Sequence, residues 1–257
     1  MNPINLVTDG YERKARLYPA LLLVAPVVVT TLGVASAKLT MLESIATIAT
    51  GCGGAFLLTQ LARDAGKKCE KDLFEKWEGV PSVAVFRHRD NRIDPITKAR
   101  YQKHLSGLVK GTKAFSSKDE AADPVKADQI YTAWSNYLRT HTRDTKKHSL
   151  LFQENVSYGY RRNVYGLRAI GVIVSGLSSI VGAVWLRHQH TITGRVSEET
   201  IGALTCAFVI LLLWAFRFTS NWVRIPADAY AERLAESIDS VSNEPLSSKG
   251  ETKKGKT

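Results

Sequence analysis

The chain lacks the residue patterns on which most enzymes and metal proteins depend. It has three cysteines in 257 residues, Cys52, Cys69 and Cys206, and none has the spacing of a metal site. Two of them lie in apolar segments, which argues against a disulfide framework and fits a reducing compartment. Walker, G-x-S-x-G, Cys–His and paired-carboxylate patterns are also missing. We therefore expect no catalytic residue, no metal and no cofactor.

One short motif suggests an activity by its letters alone. His88, Arg89 and Asp90 spell the HRD of a kinase catalytic loop. Pro95 stands where that loop needs Asn, and the chain has neither a Gly-rich phosphate loop nor DFG. We interpret the motif as a polar turn, and we expect that the protein is not an enzyme.

Charge is nearly missing from four apolar segments, each long enough to cross a bilayer as a helix. They cover approximately residues 17–36, 43–62, 167–186 and 200–218. None has a charged residue near its centre, which disfavours coupled ion or proton transport, because such transport usually needs carboxylates inside the membrane. A passive pore lined by Thr, Ser and Gly stays an open alternative.

The first apolar segment has a second interpretation. Basic residues precede it and Ala35, Ser36 and Ala37 end it, as in a cleavable signal peptide. Its 20 uncharged residues are many for such a peptide, so we predict a retained span. Cleavage would leave the orientation of the later segments unchanged.

The predicted fold class is mainly α, with four transmembrane helices in two hairpins and a mostly helical cytoplasmic insert that contains a minor β element. The predicted regions are a cytoplasmic arm (1–16), a first transmembrane hairpin (17–62), a basic domain (63–166), a second transmembrane hairpin (167–218), an amphipathic helix (219–241) and a disordered tail (242–257).

The distribution of basic residues predicts the orientation. Of the 35 Lys and Arg residues, only Lys38, Arg187 and Arg195 lie in the two short links between paired spans. The other 32 lie on the opposite side, which the positive-inside rule assigns to the cytoplasm. We therefore predict a multi-pass protein of the bacterial inner membrane with both termini and residues 63–166 inside.

The basic domain carries 21 Lys and Arg against 13 Asp and Glu, a net charge of +8. An amphipathic helix over 63–78 continues the second span. The β-branched run 82–86 predicts one short strand or two paired ones. Asp94 and Asp123 are each followed by Pro, which is typical of an N-cap and the first position of a helix. These signals predict a small helical domain with one β element.

The charge of this domain has three interpretations. It satisfies membrane topology and contacts anionic lipid, it binds a nucleotide or single-stranded nucleic acid, or it docks a protein partner. For the second, we expect five cations to meet on one surface beside an aromatic ring that stacks on a base. The candidate ligand-binding residues, for an oligonucleotide or a phosphate, are Arg87, Arg89, Arg92, Arg100, Lys103, Phe86 and Tyr101.

Small residues mark faces where helices approach closely. They follow helical spacing in the third span and cluster in the middle of the second span. The candidate residues for helix packing or for a pore lining are Gly171, Ser175, Ser178, Gly182, Thr50, Gly51 and Gly54.

Aromatic residues and arginines alternate where the chain returns to the membrane after the basic domain. This composition is typical of a lipid headgroup region. The candidate interface residues are Tyr158, Tyr160, Arg161, Arg162, Tyr165 and Arg168.

Three stretches, 11–22, 86–105 and 150–168, together resemble a family of small bacterial membrane proteins with a cytoplasmic domain between membrane hairpins. Some such proteins serve as membrane effectors in anti-phage systems beside a nucleotidyltransferase. The resemblance is to the effector of Hailong-type systems, which looks like an oligomeric channel controlled by an oligonucleotide. It implies a homo-oligomer, an oligonucleotide ligand and a nucleotidyltransferase partner, and it assigns no role to an individual residue.

The sequence thus leads to two hypotheses of different class. The first is a ligand-regulated channel or membrane-perturbing effector in antiviral defence. The second is a non-conducting scaffold that docks a cytoplasmic partner at the membrane.

Overall fold

A computed structural model describes residues 10–35 and 41–241, and it leaves the side chains of 35, 41–53, 55 and 56 undescribed. The start of the predicted arm, the link around Lys38 and the predicted disordered tail lie outside the described residues.

The described chain is mainly helical, with two π-helical segments. In chain order the elements are α1 (Gly10–Glu12), π1 (Arg13–Leu17), α2 (Tyr18–Ala35), α3 (Met41–Lys76), α4 (Pro81–Ala84), α5 (Pro95–Leu108), α6 (Ser117–Ala122), α7 (Pro124–His141), α8 (Ser149–Gly166), α9 (Arg168–Thr193), α10 (Glu198–Leu212), π2 (Leu213–Arg217), α11 (Ser220–Glu236) and α12 (Ile238–Val241). They form two compact units: Met1–Glu78 with Asn155–Pro226 is unit 1, and Gly79–Glu154 with Ala227–Thr257 is unit 2.

Unit 1 contains the apolar helices. Among the described residues, three helical stretches are long and apolar enough to cross a membrane: Gly10–Val34, Arg168–Thr193 and Glu198–Arg217. Helices α2, α9 and α10 pack against one another pairwise. Thr200 Oγ1 of α10 donates a hydrogen bond to the carbonyl oxygen of Gly33 in α2 at 2.9 Å. This composition is compatible with a membrane protein.

The second predicted span belongs to α3, which runs without a break from Met41 to Lys76. Most side chains of residues 43–56 lie outside the described part, so a fourth span stays a prediction. Beyond residue 62, Leu73 and Trp77 are buried while charged residues occupy the exposed positions. The predicted continuation of the second span as one long amphipathic helix is confirmed at the level of the backbone.

Helix α9 has its large residues outside and its small residues inside. Its buried residues are the four small residues of one face, whereas Ile173, Leu177 and Ile180 on the other faces are more than half exposed. A water-soluble protein buries its aliphatic side chains and exposes polar ones. The reversed arrangement is favourable where lipid is the solvent.

Unit 2 has the core of a water-soluble domain. Buried aromatic and aliphatic residues of α5, α7 and α11 pack into one cluster, in which the rings of Phe86, Tyr131 and Trp134 contact one another. Two helices of this unit begin as predicted, because the side chains of Asp94 and Asp123 accept hydrogen bonds from backbone N–H groups of the first turn, at 2.9 and 3.0 Å. Pro follows each cap at the first helical position.

The strand predicted over 82–86 is wrong, and no strand occurs in the described residues. Pro81 instead begins the short helix α4, and two further turns follow it. Val83, Val85 and Phe86 are all buried. A short apolar run that is buried on several sides has no alternating pattern, and such a run does not distinguish a strand from a helical turn.

Candidate functional site

A cleft of unit 2 lies between α5 and α12 and has a volume of about 700 Å³. We call it the α5 cleft. The residues that line it include two candidate cations, a histidine and one carboxylate: Arg100, Tyr101, Lys103, His104, Ile238 and Asp239. It therefore holds three of the seven residues that were predicted to bind a ligand.

The α5 cleft has basic side chains at its rim and a tyrosine in its wall. Arg100 Nη2 donates to Asp239 Oδ2 at 3.1 Å, yet the Arg100 side chain stays 61% exposed. Lys103 is exposed. Tyr101 donates its hydroxyl proton to the same carboxylate oxygen at 3.1 Å, and burial followed by the charge of Asp239 raises the pKa of Tyr101 to about 12. The cleft thus offers two accessible cations to an anion.

Arg87 and Arg89 line a different cleft of about 420 Å³, beside α6 and the start of α7. Arg87 forms a bidentate pair with Asp128, at 2.8 Å from Nε and 2.6 Å from Nη2. Glu120 also lines this cleft and accepts the backbone N–H of His88 at 3.0 Å. Asp128 and Glu120 thus offset much of the positive charge of Arg87 and Arg89 in this cleft.

Arg92 is held in an ion-pair network. It donates to Asp90 Oδ2 at 2.7 Å and to Asp228 Oδ1 at 2.6 Å, and its side chain is 18% exposed. Burial raises the pKa of Asp90, but the hydrogen bonds and charge of Arg92 outweigh it, so the pKa lies below its usual value. Lys98 is buried beside the network, and its ammonium group donates to the carbonyl oxygens of Arg87 and Asp90.

The five candidate cations therefore do not meet on one surface. They divide into Arg100 with Lys103, Arg87 with Arg89, and Arg92 in its own network. Phe86 is 1% exposed and belongs to the core. Tyr101 is 4% exposed, so neither ring presents a free face for a base to stack on.

The small-residue face of α9 packs against α10 and π2 of the same chain. A Cβ atom at Gly171 would overlap the indole ring of Trp214, and one at Gly182 would lie 3.3 Å from Leu204 Cδ1. Ser175 and Ser178 are buried between them. Gly54 of the second predicted span has open space where a Cβ would be, and the surroundings of Thr50 and Gly51 are not described by the structure.

Two of the predicted interface residues turn toward a carboxylate. Tyr158 donates to Glu70 Oε1 at 3.0 Å, and Arg162 Nη1 donates to the same atom at 2.7 Å. Burial, and after it the charge of Glu70, raises the pKa of Tyr158. The pKa of Arg162 is also raised, because Glu70 outweighs the opposing effect of burial. Glu70 was not among the predicted interface residues, since it lies 92 positions before Arg162 and no local pattern joins the two.

The other interface residues lie near the ends of the apolar helices. Arg161 lies over the ring of Trp222, and Tyr160 packs edge-on against the same ring. Tyr165 is half-buried. Trp222 was not among the predicted interface residues, although an aromatic residue shortly after a span is typical of a membrane interface.

In each π-helical segment, a backbone carbonyl oxygen accepts a hydrogen bond from a side chain of α8 or α9. Asn163 Nδ2 donates to the Ala15 carbonyl in π1 at 2.7 Å. Arg168 donates to the carbonyls of Trp214 and Ala215 in π2, at 3.2 and 2.6 Å. A π-helical turn frees backbone groups from the usual i to i+4 ladder, and in a membrane such groups need partners. Residues 163–168 therefore stabilise both apolar helices where their geometry departs from α.

The described residues hold no group of three His, Cys, Asp or Glu side chains arranged to bind a metal ion. Comparison of the chain with protein-family models, with curated proteins and with solved structures finds no match.

Proposed function

We propose that the protein is a bacterial inner-membrane effector in antiviral defence, acting as an oligomeric, ligand-regulated channel or membrane-perturbing protein. The observation that carries this proposal is the contrast between the two units. Unit 1 exposes aliphatic side chains and buries small ones in α9, and unit 2 buries an ordinary aromatic core. A chain built in this way places one part in lipid and another in water.

The α5 cleft supports the regulatory part of the proposal. Arg100 and Lys103 are accessible cations beside an open volume large enough for a nucleotide-sized ligand. Guanidinium and ammonium groups bind phosphate oxygens through charge-assisted hydrogen bonds. The ligand that this cleft favours is a nucleotide or a short DNA oligomer bound through phosphate, without stacking on Tyr101. The resemblance to nucleotidyltransferase-linked effectors points to the same ligand class.

The exposed faces of the apolar helices support self-association. Ile173 and Ile180 of α9 and Phe208 of α10 are each at least half exposed in one chain. In a bilayer these side chains contact lipid or the apolar helices of other copies. We propose a homo-oligomer in which several copies surround a common path, and a catalytic activity is not part of the proposal.

A non-conducting scaffold is the second candidate, and one observation favours it. Arg87, Arg92 and Arg100 each form an ion pair with an aspartate of unit 2. Cations that are already paired bind an added phosphate less strongly, because the ligand must compete with the carboxylate. A surface of alternating paired charges fits protein docking well.

Conductance of reconstituted protein tests the proposal. The full chain is placed in vesicles of mixed phosphatidylcholine and phosphatidylglycerol, and ion flux is measured with and without mononucleotides or a single-stranded DNA oligomer. We expect flux that depends on one of these probes and that weakens as salt increases, since phosphate contacts release counterions. A folded, oligomeric protein that shows no flux with any probe supports the scaffold instead.

Matched variants locate the ligand. Replacing both cations of the α5 cleft, Arg100→Gln with Lys103→Gln, is expected to remove the ligand dependence of the flux. Lys126→Gln is the control, because Lys126 is also an exposed lysine of unit 2 and lines neither cleft. Equal loss in the control would show that net charge, and not the cleft, controls the response.

A further inference from the structure

Two guanidinium groups converge on one indole ring at the end of the last apolar helix. The Cζ atoms of Arg161 and Arg217 lie 5.0 and 5.5 Å from the centroid of the Trp222 ring. Arg161 Nη1 also donates to the Trp222 carbonyl at 2.9 Å. Tyr160 and Phe218 pack against the same ring, with centroids 6.2 and 5.0 Å away. Trp222 is therefore held in place as a platform for two positive charges.

The sequence around this platform is strongly unbalanced in charge. No Asp or Glu occurs from residue 155 to 197 or from residue 200 to 227. Seven arginines fall in these two segments: Arg161, Arg162, Arg168, Arg187, Arg195, Arg217 and Arg224. Of these, Arg162 is paired with Glu70, and Arg187 and Arg195 lie in or near the link between α9 and α10. Like charges that approach one ring repel each other, and an anion that contacts both removes this repulsion. The two guanidinium groups at the Trp222 ring therefore attract anions.

The surroundings of the platform are apolar on the side of the span. Phe216, next to Arg217, is 75% exposed, and Ile225, three residues after Trp222, is 62% exposed. Leu212, one turn before Phe216, is also exposed. Arg217 is the last residue of the membrane-span candidate Glu198–Arg217. In a bilayer this end of the helix lies at the depth of the headgroups, where arginines and aromatic rings are enriched.

We propose that Arg161, Arg217 and Trp222 form a binding site for an anionic phospholipid. The two guanidinium groups donate to the phosphodiester oxygens of the headgroup, for which their planar, multi-donor geometry is well suited. The acyl chains lie along the exposed side chains of Leu212 and Phe216. A zwitterionic headgroup brings its own cation to the same place, so the site prefers a lipid with net negative charge. This inference depends on the proposed membrane location, but not on channel activity.

Retention of lipid by the full chain tests the site. The protein is purified with an equal mixture of phosphatidylglycerol and phosphatidylcholine in detergent micelles, and bound lipids are counted by native mass spectrometry. We expect preferential retention of phosphatidylglycerol. Arg217→Gln removes one charge-assisted contact, which corresponds to roughly tenfold weaker retention. Arg161→Gln is expected to have a similar effect, and Arg217→Lys, which keeps the charge, a smaller one.

A matched control separates the site from general charge attraction. Arg187→Gln removes an exposed arginine near the opposite end of α9, and we expect normal retention of phosphatidylglycerol. Loss in this control as large as in Arg217→Gln would overturn the proposal, and so would equal retention of the two lipids by the unaltered chain.

The lipid must also be distinguished from a free phosphate. Inorganic phosphate and glycerophosphoglycerol are added as competitors, and neither is expected to displace the lipid, because they lack acyl chains. Displacement by inorganic phosphate at micromolar concentration would assign the platform to a soluble anion instead. Since the readout is bound lipid and not flux, a protein without conductance still gives a clear answer.

Discussion

Arg92 forms ion pairs with two carboxylates of unit 2. It joins Asp90, two positions away, to Asp228 near the other end of the chain. We predict that Arg92→Ala lowers the free energy of unfolding by about 2–3 kcal/mol, because two partly buried carboxylates lose a charged donor. Thermal or urea unfolding of the full chain in detergent measures this loss.

The control for this change is Lys126→Ala, which removes an exposed cation in the first turn of α7 and is expected to alter stability by less than about 0.5 kcal/mol. If both variants have the same free energy of unfolding as the unaltered protein, the Arg92 network contributes nothing measurable to the stability of the domain.

Cys69 illustrates how burial alters a thiol. Its Sγ donates to the Gly66 carbonyl at 3.1 Å, and burial, the largest cause, raises its pKa from 9.0 to about 11. Since only the thiolate reacts, alkylation is predicted to be slow at pH 9 and to increase with a midpoint near pH 11.

The measurement uses a chain with Cys52→Ser and Cys206→Ser, so that a single thiol reacts with iodoacetamide between pH 7 and 11.5. N-acetylcysteine under the same conditions is the reference thiol. A midpoint for Cys69 at or below that of the reference would contradict the buried environment.

At the level of helices, the glycines of α9 differ sharply in what surrounds them. A Cβ at Gly171 would overlap the Trp214 ring, one at Gly182 would lie 3.3 Å from Leu204 Cδ1 and 3.6 Å from its Cβ, and one at Gly176 would meet nothing within 4 Å. We predict that Gly171→Ala destabilises the apolar helices by about 1–3 kcal/mol through overpacking. Gly182→Ala is expected to have a smaller effect.

Gly176→Ala is the matched control, and we expect it to be neutral or slightly stabilising, since Ala favours helix over Gly. Thermal denaturation in detergent gives the melting temperatures of the three variants, by which they are ranked. Equal melting temperatures for Gly171→Ala and Gly176→Ala would show that α9 does not approach Trp214 closely.

At the level of the whole molecule, orientation is the property that most affects the proposed function. The 32 to 3 division of basic residues predicts that both termini and the basic domain face the cytoplasm. Reporter fusions after Lys118 and Thr257 are expected to report the cytoplasm, and fusions after Lys38 or Gly194 the outside. An external signal from the Lys118 fusion would contradict the orientation and the access of a cytoplasmic ligand to unit 2.

Features with short-range causes could be predicted from the sequence. The first, third and fourth apolar segments form helices at nearly the predicted positions, because the length and hydropathy of a run are local properties. Asp94 and Asp123 cap helices because an N-cap needs only the next three residues. The strand predicted over 82–86 was wrong, because burial on several sides removes the periodicity that distinguishes a strand from a helix in the sequence.

The contacts of the charged residues were decided only by the tertiary structure. Arg92 pairs with a carboxylate 136 positions away, and Arg162 with one 92 positions away. The sequence sets the number of cations, but it does not show which carboxylates fold against them, because ion pairs form between any surfaces that packing brings together. Burial of Phe86 and dispersal of the five cations follow from the same packing. The sequence by itself thus determined the apolar helices and the charge, while the fold decided which charges stay accessible to a ligand.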